Sequence, residues 1–196
     1  MTLVIRAIRA LDRRGGLASE RAAETYAHHV GLFAGLHRAV EEDLVALVAS
    51  RPLTVVDIGA GPGDLLAALA PRLPAATLVG VDPAAAMRQL AATRSVMVLD
   101  GRAEQLPFAD ASVDLAVSTL SSHHWDDPVA AFAELRRVLA RDGEARIYDV
   151  RFAGLGATEA RTIARAAGLP AEAVEHRVVD ARLFGFRAYS LITLRA

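Results

Sequence analysis

The segment Thr54–Asp64, TVVDIGAGPGD, constrains the fold of this chain more than any other. A short β-branched apolar run ends at Ile58, and Gly59, Gly61 and Gly63 follow within five residues. Glycines directly after a strand allow a tight strand-to-helix turn and let a ligand approach the main chain. A purely structural turn is the alternative, but three glycines favour a ligand-binding loop at the carboxyl end of a parallel strand.

The rest of the chain alternates short apolar strands with helical segments, a pattern typical of βαβ units and a parallel sheet. The last two strands are joined by about eight residues, too few for a crossover helix, so the final strand is expected to be antiparallel. We therefore predict a Rossmann-like α/β fold with seven mostly parallel strands, the last one antiparallel, and helices on both faces. Strands are predicted at 53–58, 77–81, 95–99, 113–118, 145–150, 174–179 and 188–195, and helices at 17–50, 64–70, 83–92, 128–140 and 158–167.

The length of 196 residues fits one domain, in which residues 1–50 form a helical cap and residues 51–196 the core. The chain has no cysteine, and its 22 basic residues are all arginine, which excludes thiol nucleophiles, cysteine-zinc sites and Schiff-base chemistry. A net charge of −1 gives no general attraction to nucleic acid or an anionic membrane. We expect a cytoplasmic monomer or homodimer that acts on a small molecule without a metal.

Two aspartates accompany the glycine loop. Asp82 ends the second strand, 19 residues after Gly63, which is the position of an acid that binds ribose hydroxyls. Its alternative role is to cap the helix that follows. The loop reads G-x-G-x-G, whereas the third glycine of the dinucleotide fingerprint would fall on Asp64. Asp57 adds a second carboxylate, which would repel a pyrophosphate and suits a cationic ligand.

Four segments in order resemble the class I S-adenosylmethionine-dependent methyltransferases, within the methyltransferase domain 11-like, small-molecule group that includes the ubiquinone and menaquinone type. The resemblance covers about residues 53–150 and implies S-adenosyl-L-methionine as cofactor and S-adenosyl-L-homocysteine as product. The four segments are VVDIGAGPGDLL, LVGVDPAAAM, GRAEQLPFADASVDLAVS and HHWDDPVAAFAELRRVLARDGEARIYDV.

The resemblance also implies which residues contact the cofactor. The loop main chain would lie against its amino-acid part, Asp57 would hold its ammonium group, and Asp82 would bind the ribose. Family members often have an aspartate before the alanine that contacts adenine, but here Arg102 stands there and cannot accept a hydrogen bond. Arg102 is kept as a cofactor-binding candidate that would stack on the adenine ring, and its alternative is to point to solvent. The remaining cofactor-binding candidates are Gly59, Ala60, Gly61, Gly63, Pro83, Ala103, Ser118 and Thr119.

The resemblance implies methyl transfer by in-line displacement, in which the protein supplies alignment and, for some acceptors, a base. His123 and His124, after the fourth strand, are the candidate bases; packing or hydrogen bonding of the loop is their alternative role. Tyr26 is the candidate lid residue.

Two other functions stay open. One is a catalytically inactive methyltransferase-like protein that binds the cofactor or a partner. The other is an NAD(P)-dependent oxidoreductase, against which the glycine spacing and the reversed strand both argue.

Overall fold

The computed structural model describes residues 33–48, 52–152, 154–183 and 185–195. Tyr26 and most of the predicted 1–50 cap lie outside the described residues. The helices are α1 (Ala34–Val48), α2 (Asp64–Leu69), α3 (Ala85–Thr93), α4 (Pro128–Val138) and α5 (Ala157–Ala166). The strands are β1 (Thr54–Ile58), β2 (Thr77–Val81), β3 (Val98–Leu99), β4 (Val113–Thr119), β5 (Leu139–Val150), β6 (Val174–Val178), β7 (Arg182–Leu183), β8 (Phe186–Arg187) and β9 (Tyr189–Arg195).

Seven of these strands form one sheet in the order β3-β2-β1-β4-β5-β9-β6. The neighbouring pairs from β3 to β5 are parallel, and β9 is antiparallel to both β5 and β6. This confirms the predicted seven-stranded, mostly parallel sheet with a reversed last strand. The order places the carboxyl ends of β1, β2, β4 and β5 along one edge, where ligands bind in open α/β sheets.

Four local features differ from the prediction. The fifth strand begins at Leu139, directly after α4, whereas the helix was predicted to continue to 140 and the strand to begin at 145. The third strand begins only at Val98, because Ser95 adopts a left-handed conformation with φ 58° that interrupts an extended chain. Pro83 lies before α3, since Ala84 is the extended residue that precedes the helix. The connection around Gly185 contains the hairpin β7–β8, which was predicted only as a loop.

Helices cover both faces of the sheet. On one face α4 and α5 bury apolar side chains such as Phe132, Leu135 and Ile163. On the other face α1 contributes Leu36, Val40 and Leu44, whose spacing of four places them on one side of the helix. These side chains are fully buried, so truncating one of them to alanine is expected to cost about 2–5 kcal/mol of unfolding free energy.

Polar contacts also hold α1 on the sheet. Asp43 accepts hydrogen bonds from the Tyr148 hydroxyl and from Arg146 (2.5 Å) and Arg177 (3.0 Å). None of the described helices combines the length and the apolar character needed to cross a bilayer.

Candidate functional site

The loop between β1 and α2 is built on three left-handed glycines. Gly59, Gly61 and Gly63 have φ values of 74°, 53° and 77°, which cost other residues strain. A Cβ atom on Gly59 would lie 2.4 Å from the Cβ atom of Ser121, so no side chain fits there. The amides of Gly59 and Ala60 both donate to the Val81 carbonyl, at 2.8 and 3.1 Å. The loop is thereby folded back over the end of β2.

Asp82 links this loop to the next helix. One carboxylate oxygen accepts from the Gly61 amide and the other from the Ala84 amide, each at 2.8 Å. Each oxygen keeps a second lone pair, so the capping role and a ligand-binding role are compatible. Burial raises the pKa of Asp82, and the two amides partly oppose that shift.

Asp57 is a buried carboxylate, 3 % exposed, at the end of β1. Burial, followed by the neighbouring Asp82, raises the pKa of Asp57 to about 7. Within the described part of the chain, no side chain or amide donates to its oxygens. The two buried carboxylates Asp57 and Asp82 suit a positively charged ligand, such as the ammonium and sulfonium groups of S-adenosylmethionine.

A chain of hydroxyls ties the end of β4 to the end of β1. The Ser118 hydroxyl lies 2.6 Å from that of Ser121, which donates to the Ile58 carbonyl at 2.8 Å. Ser118 is thus fully buried and used inside the protein, although the sequence made it a cofactor-binding candidate. The neighbouring Thr119 hydroxyl is buried without a hydrogen-bond partner among the described residues.

The segment after β4 turns sharply. Leu120 has a φ of 56°, which is strained for a residue with a branched side chain, and its amide donates to the Tyr148 carbonyl at 2.8 Å. A 3₁₀ turn, Ser122–His124, follows. The rings of His123 and His124 lie 4.1 Å apart, and the charge of His124 lowers the pKa of Asp82. The two candidate bases are therefore beside the glycine loop.

The residue that the sequence reasoning missed is Asp149, near the end of β5. It is 2 % exposed and accepts from Ser122 Oγ (2.5 Å) and from the main-chain amides of His123 (3.2 Å) and Val150 (2.7 Å). One of its oxygens also lies 2.9 Å from His123 Nδ1. The sequence contains a feature that could have identified Asp149. Like Asp57 and Asp82, it is an acid near the carboxyl end of a strand that was predicted to be parallel.

Arg102 and Ala103 follow β3. Ala103 is buried, whereas the Arg102 side chain is 53 % exposed and pairs with Asp126 and, at 3.6 Å, with Glu104. Glu104 also accepts from the Asp126 amide at 2.8 Å. The guanidinium of Arg102 is therefore engaged with the segment that precedes α4.

Two further residues that the sequence reasoning missed, Glu134 and Arg137, hold the loop before β4. The Arg137 guanidinium donates to the Phe108 carbonyl at 2.8 Å and to the Leu106 carbonyl at 3.1 Å. Glu134 accepts from the Leu106 amide and from Arg137, both at 2.8 Å. The EQLPF and ELRRV motifs of the sequence therefore meet in the fold, as a structural clamp.

A cavity of about 360 Å³ lies elsewhere, between β5, β6, β9 and α5. Three of its arginines are paired with acids: Arg146 with Asp43 and Glu144, Arg177 with Asp43, and Arg195 with Glu175. Because three of its four arginines are already paired and it lies away from the glycine loop, we do not assign the function to this cavity.

Comparison with known proteins shows which proteins this chain resembles. The methyltransferase domain family matches residues 56–147. A malonyl-[acyl-carrier protein] O-methyltransferase of Geobacter sulfurreducens is 38% identical over 120 residues, which is 57% of this chain and 45% of that protein. An S-adenosylmethionine-dependent methyltransferase from Thermotoga maritima, described as a possible histamine N-methyltransferase, superposes with a TM-score of 0.68 at 21% identity, over 90% of this chain and 96% of that one.

The [4+2]-cyclase SpnF also shares the fold, with a TM-score of 0.67 at 19% identity over 78% of this chain and 79% of that one. The chain spans about half the length of the curated relatives it matches. These comparisons confirm the resemblance inferred from the sequence motifs and the predicted fold.

Proposed function

Because residues 56–147 belong to the methyltransferase domain family, of the class I S-adenosylmethionine-dependent type, we propose that this chain transfers a methyl group from that cofactor to a small-molecule acceptor. The observation that carries the proposal is the pair of buried carboxylates, Asp57 and Asp82, at the glycine loop. When bound, S-adenosylmethionine supplies an electrophilic methyl group on a sulfonium, with a neutral thioether as leaving group.

Each side chain of the site has a role in this proposal. Asp57 holds the ammonium group, whose charge favours the ionised carboxylate. Asp82 uses its remaining lone pairs for the ribose hydroxyls and keeps the loop folded through the Gly61 amide. Thr119 gives its unpartnered hydroxyl to the amino-acid end, and buried Ala103 lies against the adenine. Arg102, paired with Asp126, has no adenine contact in the proposal.

An NAD(P)-dependent oxidoreductase is disfavoured by the same geometry. In dinucleotide sites, loop amides at the start of the helix are directed at the pyrophosphate. Here the Gly61 amide donates to a carboxylate, and a second carboxylate lies beneath the loop. Both charges would repel a pyrophosphate.

Calorimetric titration tests whether the protein binds the proposed cofactor. We expect S-adenosylmethionine and S-adenosylhomocysteine to bind and NADH and NADPH not to bind. Binding of a dinucleotide, with neither sulfur ligand bound at millimolar concentration, would overturn the proposal.

An assay with a labelled methyl group on the cofactor tests whether the protein transfers that group to an acceptor. SpnF, a cyclase by its description, illustrates that the fold alone does not fix the reaction. The segment that matches the family model contains the candidate cofactor-binding residues and says little about the acceptor. We therefore treat malonyl-[acyl-carrier protein], named in the description of the relatives, as only one candidate acceptor. We expect label from S-adenosylmethionine in at least one product of a panel of hydroxyl, amine and malonyl-thioester acceptors. Tight cofactor binding with no transfer to any of them would favour an inactive binding protein.

A further inference from the structure

We propose that the cavity between β5, β6, β9 and α5 is a second binding site, which takes a small molecule that carries a phosphate group. Its volume is about 360 Å³, within the range of sites that hold small organic ligands. Strand β9 lies three strands from β1, about 14 Å at the usual spacing, so this site is separate from the glycine loop. The inference does not rest on the proposed methyl transfer. The lining residues that carry it are Arg146, Arg161, Arg177, Arg195 and Thr193.

Strand pairing brings three of these arginines to one face of the sheet. Arg146 of β5 is opposite Thr193 of β9, which is in turn opposite Glu175 of β6. Residues opposite one another in antiparallel strands share a face, as do residues two apart along a strand. Arg177 and Arg195, each two residues further along its strand, therefore lie on this face too. The three arginines are thus neighbours of Thr193.

The fourth arginine reaches the cavity from α5. Strand β6 is the last strand of the sheet, and its four consecutive residues 174–177 line the cavity, which therefore extends around both faces of this strand. Arg161 is exposed and forms no hydrogen bond or ion pair with any described residue. Its positive charge is therefore available to a ligand.

The charges that face the cavity are mainly positive. Among the described residues that line it, four are arginines and one, Glu175, is an acid. Glu175 pairs with Arg195 at 2.8 Å. Arg146 is paired with Asp43 and Glu144, but neither of these acids lines the cavity. A ligand that enters the cavity therefore meets more guanidinium groups than carboxylates, which favours an anion.

Two guanidinium groups in the cavity repel each other. The hydrogen bond to Glu175 raises the pKa of Arg195, and the nearby positive charge of Arg146 acts in the opposite direction. The Arg146 side chain is only 14 % exposed, so water screens this repulsion poorly. A negative group bound between the two arginines would replace the repulsion by two attractions.

The Thr193 hydroxyl is a further donor for such a group. Thr193 is 6 % exposed, yet its hydroxyl makes no hydrogen bond to any residue that the structure describes. Buried hydroxyls usually have a partner, because burial without one costs free energy. Since Thr193 lines the cavity, a ligand oxygen can supply that partner.

A phosphate group matches these donors. Its oxygens are strong acceptors, and guanidinium groups bind them through paired, parallel hydrogen bonds. One phosphate can therefore accept from Thr193 and from two arginines at once. A water molecule takes up about 30 Å³ in the liquid, so the cavity has room for much more than a single phosphate. We accordingly expect the phosphate to be part of a larger molecule.

Calorimetric titration at constant ionic strength tests the class of ligand. The probes are glucose 6-phosphate, inorganic phosphate and succinate. We expect glucose 6-phosphate to bind to one site with a Kd of about 1 mM or lower, inorganic phosphate to bind more weakly, and succinate not to bind. Equal affinity for the two phosphate probes would assign the site to the free ion and refute the larger ligand. Binding of succinate alone, or of no probe at millimolar concentration, would overturn the proposal.

Substitutions test the location of the site. Loss of a charged donor in Arg161→Gln should weaken binding of glucose 6-phosphate by about 10-fold, and Thr193→Val should weaken it by about threefold. Arg165→Gln is the matched control, because Arg165 is exposed on the same helix and does not line the cavity. Circular dichroism checks that each variant is folded, and the exposed Arg161 keeps the test open if Thr193→Val is not.

Two results would place the phosphate elsewhere and refute the site. One is an affinity for glucose 6-phosphate that Arg161→Gln leaves unchanged. The other is competition between glucose 6-phosphate and S-adenosylhomocysteine, which would put the phosphate at the glycine loop. Failure of the proposed methyl transfer is recognised separately, because the unmutated protein would then not bind S-adenosylhomocysteine.

Discussion

Asp57 keeps its proton between about pH 4 and pH 7, where an exposed aspartate is ionised. Burial and the neighbouring Asp82 raise the pKa of Asp57 to about 7, and no described residue neutralises the charge. In the free protein, ionisation of Asp57 is therefore unfavourable, whereas a bound cation would favour it. The unfavourable buried charge is a feature of the candidate site, and it has measurable consequences in the protein without ligand.

Replacing Asp57 with asparagine should flatten the pH dependence of stability. In the unfolded chain Asp57 ionises near pH 4, but in the folded protein only near pH 7, so the folded state holds more protons between these values. The free energy of unfolding should fall by a few kcal/mol, on the order expected from linkage, as pH rises from about 4 to about 7, and then level off. Urea titrations from pH 4.5 to 8 should show this slope in the unmutated protein and in Asp180→Asn, and a smaller slope in Asp57→Asn. Equal slopes in all three proteins would contradict the burial of an unneutralised Asp57.

Substitution of Gly59 by alanine should be strongly destabilising. The new Cβ atom would clash with Ser121 at 2.4 Å, and the residue would keep a φ of 74°. Backbone strain and overpacking together predict a loss of about 2–5 kcal/mol of unfolding free energy. Gly156→Ala is the matched control, because no atom lies within 4 Å of its Cβ position and its φ is −82°. Chemical denaturation of Gly59→Ala and Gly156→Ala measures the loss of unfolding free energy in each variant. Similar denaturation midpoints for the two variants would contradict the described geometry of the glycine loop.

Sequence spacing could predict Asp57 and Asp82, because both lie at fixed offsets from the glycines. It could not predict that Ser121 donates to the Ile58 carbonyl, since the two residues are 63 positions apart and only the order of the strands brings them together. Asp149 is the intermediate case: its place at a strand end was visible, but its partner His123 was not.

The turn after β4 and helix α4 show how larger parts of the chain position the site. The end of α4 holds the loop before β4 through Glu134 and Arg137, and the start of α4 is joined to the loop after β3 by Glu104. The connection between β3 and β4 is thus braced by one helix. The sequence motifs indicated a family but not this physical role.

Removing this brace should loosen the loop before β4. Arg137→Ala deletes hydrogen bonds to the Leu106 and Phe108 carbonyls and to Glu134, so we expect a loss of about 2–3 kcal/mol, the range for bonds to a charged group. Hydrogen exchange of residues 104–112 should accelerate in parallel. Arg161→Ala is the control, since Arg161 is exposed and makes no side-chain hydrogen bond among the described residues. Unchanged exchange in Arg137→Ala would refute the bracing role.

The elements that sequence patterns predicted well were those with a clear apolar period, such as the central strands and α4. The two-residue strands β3, β7 and β8 were predicted poorly, because so short a strand is defined by its pairing partner and not by its own residues. The helical period of α1 was visible from Leu36 to Leu47.

In the molecule as a whole, the strand order explains why the site exists. Asp57, Asp82 and Asp149 come from three strands distant in sequence, and the parallel arrangement brings their ends to one edge of the sheet. The family match covers residues 56–147, which include the ends of β1, β2 and β4 at this edge. No motif of the sequence indicates the acceptor.

The central claim is that the loop and its two aspartates bind S-adenosylmethionine. Its most direct test is the calorimetric affinity for S-adenosylhomocysteine of the unmutated protein, Asp82→Ala and His124→Ala. Loss of hydrogen bonds to a charged group predicts that Asp82→Ala weakens binding by about 10–100-fold, while His124→Ala changes it by no more than about threefold. The reverse order, or no binding by the unmutated protein at millimolar ligand, would contradict the account.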